Sequence, residues 1–152
     1  ERSARRSAAL GPEQRKLDVF IGKWINEGYT VARPEVPSAK ILTSDIYEWA
    51  PGGFFILHTA YGRIGEHDVG GIEIISYEPQ AGSYLSRFYD SQGNVNASQL
   101  TELDGAWTWS DKRARCTATF SQDSKTQTAH HESSEDGTTW IPSMDVTLRK
   151  IA

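Results

Sequence analysis

Two histidine settings in this chain have residue types that could do chemistry. His58 lies within Phe54-Phe55-Ile56-Leu57-His58-Thr59-Ala60-Tyr61, a run so apolar that both faces of a strand there read as covered. An imidazole in such a place is either a hydrogen-bonded core group or a cavity group able to move a proton. The second setting is His130-His131-Glu132. Neighbours on a strand point to opposite faces, so only His130 and Glu132 could reach one inward metal, and the spacing supplies no third ligand beside them. The expectation is therefore no metal site, with His130 lining the interior and its neighbour on the surface. Arg87 and Asp90 flank Phe88 and Tyr89. Alternation puts Arg87 with Tyr89 on one face and Phe88 with Asp90 on the other. Arg87 is either exposed or, if inward, a group that could steady a developing oxyanion. Asp90, before Ser91-Gln92-Gly93, suits a turn.

The elements that must position these groups are mostly strands. Pro12, Glu13 and the spacing of Leu17, Phe20 and Ile21 predict one short helix, stopped by Gly22. Blocks of β-formers then read as strands near 23–32, 40–49, 54–62, 69–78, 83–90, 94–103, 106–111, 113–122, 126–134 and 138–150. Turn chemistry separates them, notably Pro51-Gly52-Gly53, Asp104-Gly105 and Asp136-Gly137, and Asp-Gly is a strong two-residue hairpin signal. Short connections force neighbouring strands to pair antiparallel. A ten-strand meander leaves two edges unless it closes, so an up-and-down barrel with the helix over one mouth is expected; a flat sandwich is the alternative. Trp24 should plug the floor, with an acceptor for its indole N–H.

Composition removes several classes of function. Sixteen Lys and Arg against twenty Asp and Glu leave a net charge of −4, which disfavours a nucleic-acid partner. The longest apolar runs, such as Phe54 to Leu57, are four residues, too short for a membrane-spanning helix. The single Cys116 excludes an internal disulfide and reads as a small buried hydrophobe. No phosphate-cradling loop, dinucleotide glycine pattern or serine-hydrolase elbow is present. Residues 1–12, with Arg2, Arg5 and Arg6, form a basic arm without the apolar core of a signal peptide, so a cytoplasmic setting is expected; 13–152 reads as one barrel domain.

Four stretches carry a resemblance. They are Leu17-Asp18-Val19-Phe20-Ile21-Gly22-Lys23-Trp24, Pro51-Gly52-Gly53-Phe54-Phe55, Phe88-Tyr89-Asp90-Ser91-Gln92-Gly93 and Ser134-Glu135-Asp136-Gly137-Thr138-Thr139-Trp140. In that order they resemble the DUF1579 family over residues 14 to 150. The resemblance implies an all-β, calycin-like barrel of about ten antiparallel strands, the class that includes lipocalins and nitrobindins. Gly22-Lys23-Trp24-Ile25-Asn26-Glu27-Gly28 also resembles the nitrobindin opening Gly-x-Trp-x-Gly-x-Gly, with Asn26 at the middle glycine. Nitrobindins hold haem through a His of the final strand. Here Ser143 or Met144 stands in that place, so no cofactor is expected and haem binding as in nitrobindin is the less favoured alternative.

Taken together, these residues suggest a small, mostly apolar or aromatic molecule inside the barrel. Tyr47, Trp49, His58, Tyr89, Trp109, Phe120, His130 and Met144 would line its site, with His58 or His130 orienting it. The alternative is a cofactor-independent isomerase, cyclase or hydratase, with His58 or His130 as general base and Arg87 or a Tyr on the oxyanion. A third reading is a homodimer built through the outer surface and the N-terminal arm.

Overall fold

The computed structural model describes residues 10–152, so most of the basic arm lies outside the described residues. The chain begins with α1 (Pro12–Lys16), which tightens into a 3₁₀ turn over Leu17–Phe20. The single helix predicted from spacing is thus two short pieces. Pro12 occupies the first turn as its fixed φ allows.

Ten strands follow in chain order: β1 (Gly22–Thr30), β2 (Lys40–Trp49), β3 (Phe55–Ile64), β4 (His67–Glu78), β5 (Ser83–Asp90), β6 (Val95–Leu103), β7 (Ala106–Ser110), β8 (Ala114–Phe120), β9 (Thr126–Ser133) and β10 (Ile141–Lys150). Each pairs antiparallel with its sequence neighbours, and β1 closes the tube against β10 with Trp24 opposite Lys150 and Thr30 opposite Met144. No edge is left unpaired, which removes the aggregation liability of an open sheet. The expected calycin-like barrel is what forms; the flat sandwich is not. Asp104 and Gly105 both hold positive φ, as a tight hairpin requires. Asp136-Gly137 departs from expectation. Only Gly137 has positive φ, the connection is longer, and Asp136 instead accepts the backbone N–H groups of Thr138 and Thr139.

One end of the tube is sealed by its own aromatic residues. Leu17 and Phe20 are completely buried, and the Phe20 ring sits 5.1 to 5.8 Å from those of Trp107, Phe120, Tyr47 and Trp109. Trp24 is equally buried and donates its indole N–H to the Phe20 carbonyl at 2.9 Å. That bond supplies the acceptor its burial requires. Trp49 reaches Asp18 and Tyr84 reaches the Glu13 carbonyl, tying the cap to the rim. Gly22 turns the chain from cap into β1 at φ +139°, where a side chain would also strike the Ala152 carbonyl.

The outer surface is uneven. On β3 to β6, Phe55, Tyr61, Ile72, Ile74, Tyr89 and Val95 are exposed, with Ile72, Tyr89 and Val95 in one cross-strand row. No helix is long and apolar enough to cross a membrane among the described residues.

Removing the plug is expected to cost much more than loosening the rim. Phe20→Ala should destabilise the protein by roughly 3–5 kcal/mol in urea unfolding, from lost burial and the cavity left behind. Trp49→Phe, which removes the hydrogen bond to Asp18 and part of a half-buried ring, should cost less, about 1–2 kcal/mol.

Candidate functional site

Above the plug, inward positions of successive strands place polar side chains around the waist of the tube. His58 on β3 faces Tyr47 on β2 and Glu73 on β4 in register. Its ring stacks on Tyr47 at 3.8 Å, with the planes 11° apart. The two ring nitrogens meet two different carboxylates: Nε2 lies 2.7 Å from Asp45 Oδ1 and Nδ1 lies 2.8 Å from Glu73 Oε1. Burial alone would strip the proton from His58. The hydrogen bonds and charges of Asp45 and Glu73 outweigh it and raise the pKa to about 9, so the ring is an imidazolium at neutral pH.

Each carboxylate is further anchored. Burial pushes Glu73 up, but the bond to His58, the His58 charge and the donors Ser86 and Trp109 bring its pKa below the ordinary value. Trp109 Nε1 donates to Glu73 Oε2 at 2.9 Å and Ser86 Oγ donates to the same oxygen. Asp45 Oδ2 accepts from Thr43, whose hydroxyl accepts from Asn26 Nδ2 at 3.1 Å. A continuous chain of hydrogen bonds therefore runs from β1 through β2, β3 and β4 to β5 and β7.

The chain stops there, and the space beside it is open. A cavity of about 560 Å³ is bounded by this network, by Phe88, Cys116, Ala118 and Val146, and by Asp111, Arg113 and Arg115 at the open end. A second lobe of about 350 Å³ shares Asn26, Asp45, His58, Phe88 and His131 with it and reaches Met144. Two buried side-chain atoms have no hydrogen-bond partner: Asn26 Oδ1 and Gln127 Nε2. Deep burial pushes the Cys116 thiol up to about 12, with the Glu73 charge adding to it. It stays protonated 3.4 Å from His131 Nε2, and burial lowers the pKa of His131 below the usual imidazole value.

The structure brings together some of the residues expected at the site and separates others. Tyr47, His58 and Trp109 border the main cavity, and Met144 borders the second lobe. Trp49 and Phe120 belong instead to the plugged end, beside Phe20. Tyr89 and Arg87 point outward on β5, because the register gives the inside to Ser86 and Phe88. His130 is also outside, paired with Asp145, while His131 is the inward residue. The β9–β10 register puts Gln127, Ala129 and His131 on the cavity side, one residue from the parity expected. Asp45, Glu73, Ser86, Asn26 and Gln127 were not anticipated. The signal that could have found the two acids was His58 itself, since a buried imidazole in an apolar strand needs cross-strand partners.

Among the described residues no cluster of three His, Cys, Asp or Glu is placed to hold a metal. His58 separates its two carboxylates rather than converging with them. The residues of β10 do not fit a haem held from the final strand either: the inward side chain is Met144, and the neighbouring imidazole, His131, stands on β9 against Cys116.

The pairing predicts a pH profile with a definite sign. Because the folded pKa of His58 lies above its ordinary 6.5, its contribution is complete below about that pH and is lost as pH rises toward about 9. Glu73, shifted below 4.5, contributes above that value and loses its contribution as pH falls through its folded pKa. Urea midpoints measured across pH should be highest between these limits. His58→Gln, which leaves two buried carboxylates without their cation, should lose roughly 3–5 kcal/mol and abolish the alkaline limb. An unchanged alkaline limb in that variant would contradict the assignment.

Comparison with known proteins fits this geometry. No curated protein matches the sequence. Among solved structures, Rv2717c from M. tuberculosis superposes with a TM-score of 0.65 at 12% identity, over 95% of this chain and 100% of that one. The zebrafish ileal bile acid-binding protein complexed with cholic acid gives 0.54 at 15% identity, over 88% and 99%. The S-type phycobiliprotein lyase CPES from Guillardia theta gives 0.55 at 10% identity, over 97% and 94%. Identities this low establish the shared barrel alone. The sequence pattern of a family described as a protein of unknown function, DUF1579, matches residues 10–150, and the chain belongs to that family.

Proposed function

We propose that the barrel holds one small, mostly apolar or aromatic molecule in the space between the Phe20 plug and the open end. The cavity carries this reading. Its volume of about 560 Å³ lies within the range of small-molecule sites, and its lining joins apolar and aromatic surface to a few fixed polar groups. The cholic acid complex of a barrel with the same fold supports the reading.

Acid–base catalysis in the same space is the second reading, and the geometry narrows it. His58 has both ring nitrogens committed to carboxylates and a pKa near 9, so it offers no lone pair to accept a proton. His130 lies outside. His131, buried with a lowered pKa and facing the cavity, is the imidazole such chemistry would use.

The exposed apolar face on β3 to β6 favours a further property, pairing of two copies of the chain. Arg87 is the charged residue among Ile72, Ile74 and Tyr89, so two such faces can meet with little like-charge repulsion. Sedimentation velocity should then show a dimer that Ile72→Lys dissociates; a monomer at every concentration would contradict it.

The binding reading is tested by incubating the protein with fatty acids, flavonoids and tetrapyrroles, followed by native mass spectrometry. The expected result is a one-to-one complex with at least one class, accompanied by quenching of Trp109 emission that Trp109→Phe removes. Ser98→Trp, which fills part of the cavity beside Ser86, should abolish the complex. Retention of nothing by a folded protein would defeat the proposal.

A further inference from the structure

Three soft donors stand side by side on the inner wall, outside the network that His58 organises. Cys116 on β8 faces His131 on β9, and His131 faces Met144 on β10, each pair directly opposite in register. All three border the open space: Cys116 and His131 its main part, His131 and Met144 the second lobe. The row depends on an irregularity. Pro142 pairs with Glu132, so an unbroken ladder would set Ser143 opposite His131; a register shift between Pro142 and Met144 puts the thioether there instead. Bulges of this kind commonly re-aim a side chain beside a functional site.

Distance and chemistry both fit a metal ion. Cys116 Sγ lies 3.4 Å from His131 Nε2. That is close to the separation of a sulfur and an imidazole nitrogen bound to one metal, with bonds of about 2.3 and about 2.0 Å meeting near the tetrahedral angle. The donor set selects the ion. Thiolate, thioether and imidazole together suit Cu(I), whereas the usual zinc ligands are Cys, His and carboxylate, of which this row supplies two. The carboxylates a harder cation would seek are committed elsewhere: Asp45 and Glu73 both bind His58, and Glu73 also accepts from Ser86 and Trp109. Charge points the same way. A monovalent ion that replaces the thiol proton leaves the charge of the buried wall unchanged, and a divalent ion does not.

We propose that Cys116, His131 and Met144 form a binding site for a soft monovalent cation, Cu(I) above all. Binding breaks the Cys116 S–H bond, forms a sulfur–copper bond and releases the proton to water, with no change in oxidation state. His131 donates the Nε2 lone pair, and Met144, which swings on three rotatable bonds, closes the site with its sulfur. The metal site and the binding of an organic molecule in the cavity are independent, since neither requires the other.

The test is an anaerobic titration of the full chain with Cu(I) presented as its bicinchoninate complex. The protein should withdraw one Cu(I), bleaching that complex, and X-ray absorption should show two sulfurs and one nitrogen around the copper. Cys116→Ser should weaken binding by about a hundredfold or more, and Met144→Leu, which conserves volume, by about tenfold. His130→Gln, on the outer face of the same strand, should change nothing. Zn(II) in the same competition should leave bound Cu(I) in place. Failure of folded wild-type protein to take Cu(I) overturns the proposal. So do an affinity untouched in Cys116→Ser or Met144→Leu, a loss in His130→Gln, or displacement by Zn(II). The organic-ligand reading survives each of these results, because it is measured on metal-free protein.

Discussion

An imidazolium held between two buried carboxylates is the constraint on which the interior of this barrel depends. Asp45 and Glu73 face the inside of a narrow tube, where an uncompensated charge would be costly. His58 lies between them on the intervening strand, and its two ring nitrogens divide the work of neutralisation. Stacking on Tyr47 fixes the ring plane, while Ser86, Trp109 and Thr43 occupy lone pairs that would otherwise be bare. Each group is held by the next, so the network is fully connected on this side of the wall.

That network explains why the tube is filled at one end and hollow at the other. Toward the cap, aromatic rings pack around Phe20 at centroid separations of 5.1 to 5.8 Å and close the end of the tube. At the waist, side chains of moderate size are tied to one another along the wall and do not reach across. The space they leave is a consequence of where the hydrogen bonds go. A wall of this kind is rigid and pre-formed, which lowers the ordering cost of any molecule that enters.

Much of the fold was legible because its signals are local. The limits of β2 and β5 follow from turn residues such as Pro51-Gly52-Gly53 and Pro79-Gln80-Ala81-Gly82, whose backbone preferences act within a few positions. The role of Trp24 followed from its size and its place after a capping segment. Parity along β9 was not legible. Choosing between His130 and His131 requires the pairing with β10, a contact set by distant residues. Strand β4 was misleading for another reason: Ile72 and Ile74 point outward, so its acid, Glu73, is the inward residue, the reverse of the usual pattern. The exposed apolar face thus hid half of the charged site. The helix broke into α1 and a 3₁₀ turn because the last turn tightens to drop Phe20 into the barrel, a demand that spacing alone does not reveal.

The state of His58 is the most direct measure of this account. Nitrogen-15 chemical shifts of the ring, recorded on the folded protein near neutral pH, should show both nitrogens protonated, with slowly exchanging N–H protons coupled to the Asp45 and Glu73 carboxylates. A neutral ring with one bare nitrogen, titrating near the ordinary value of 6.5, would contradict it.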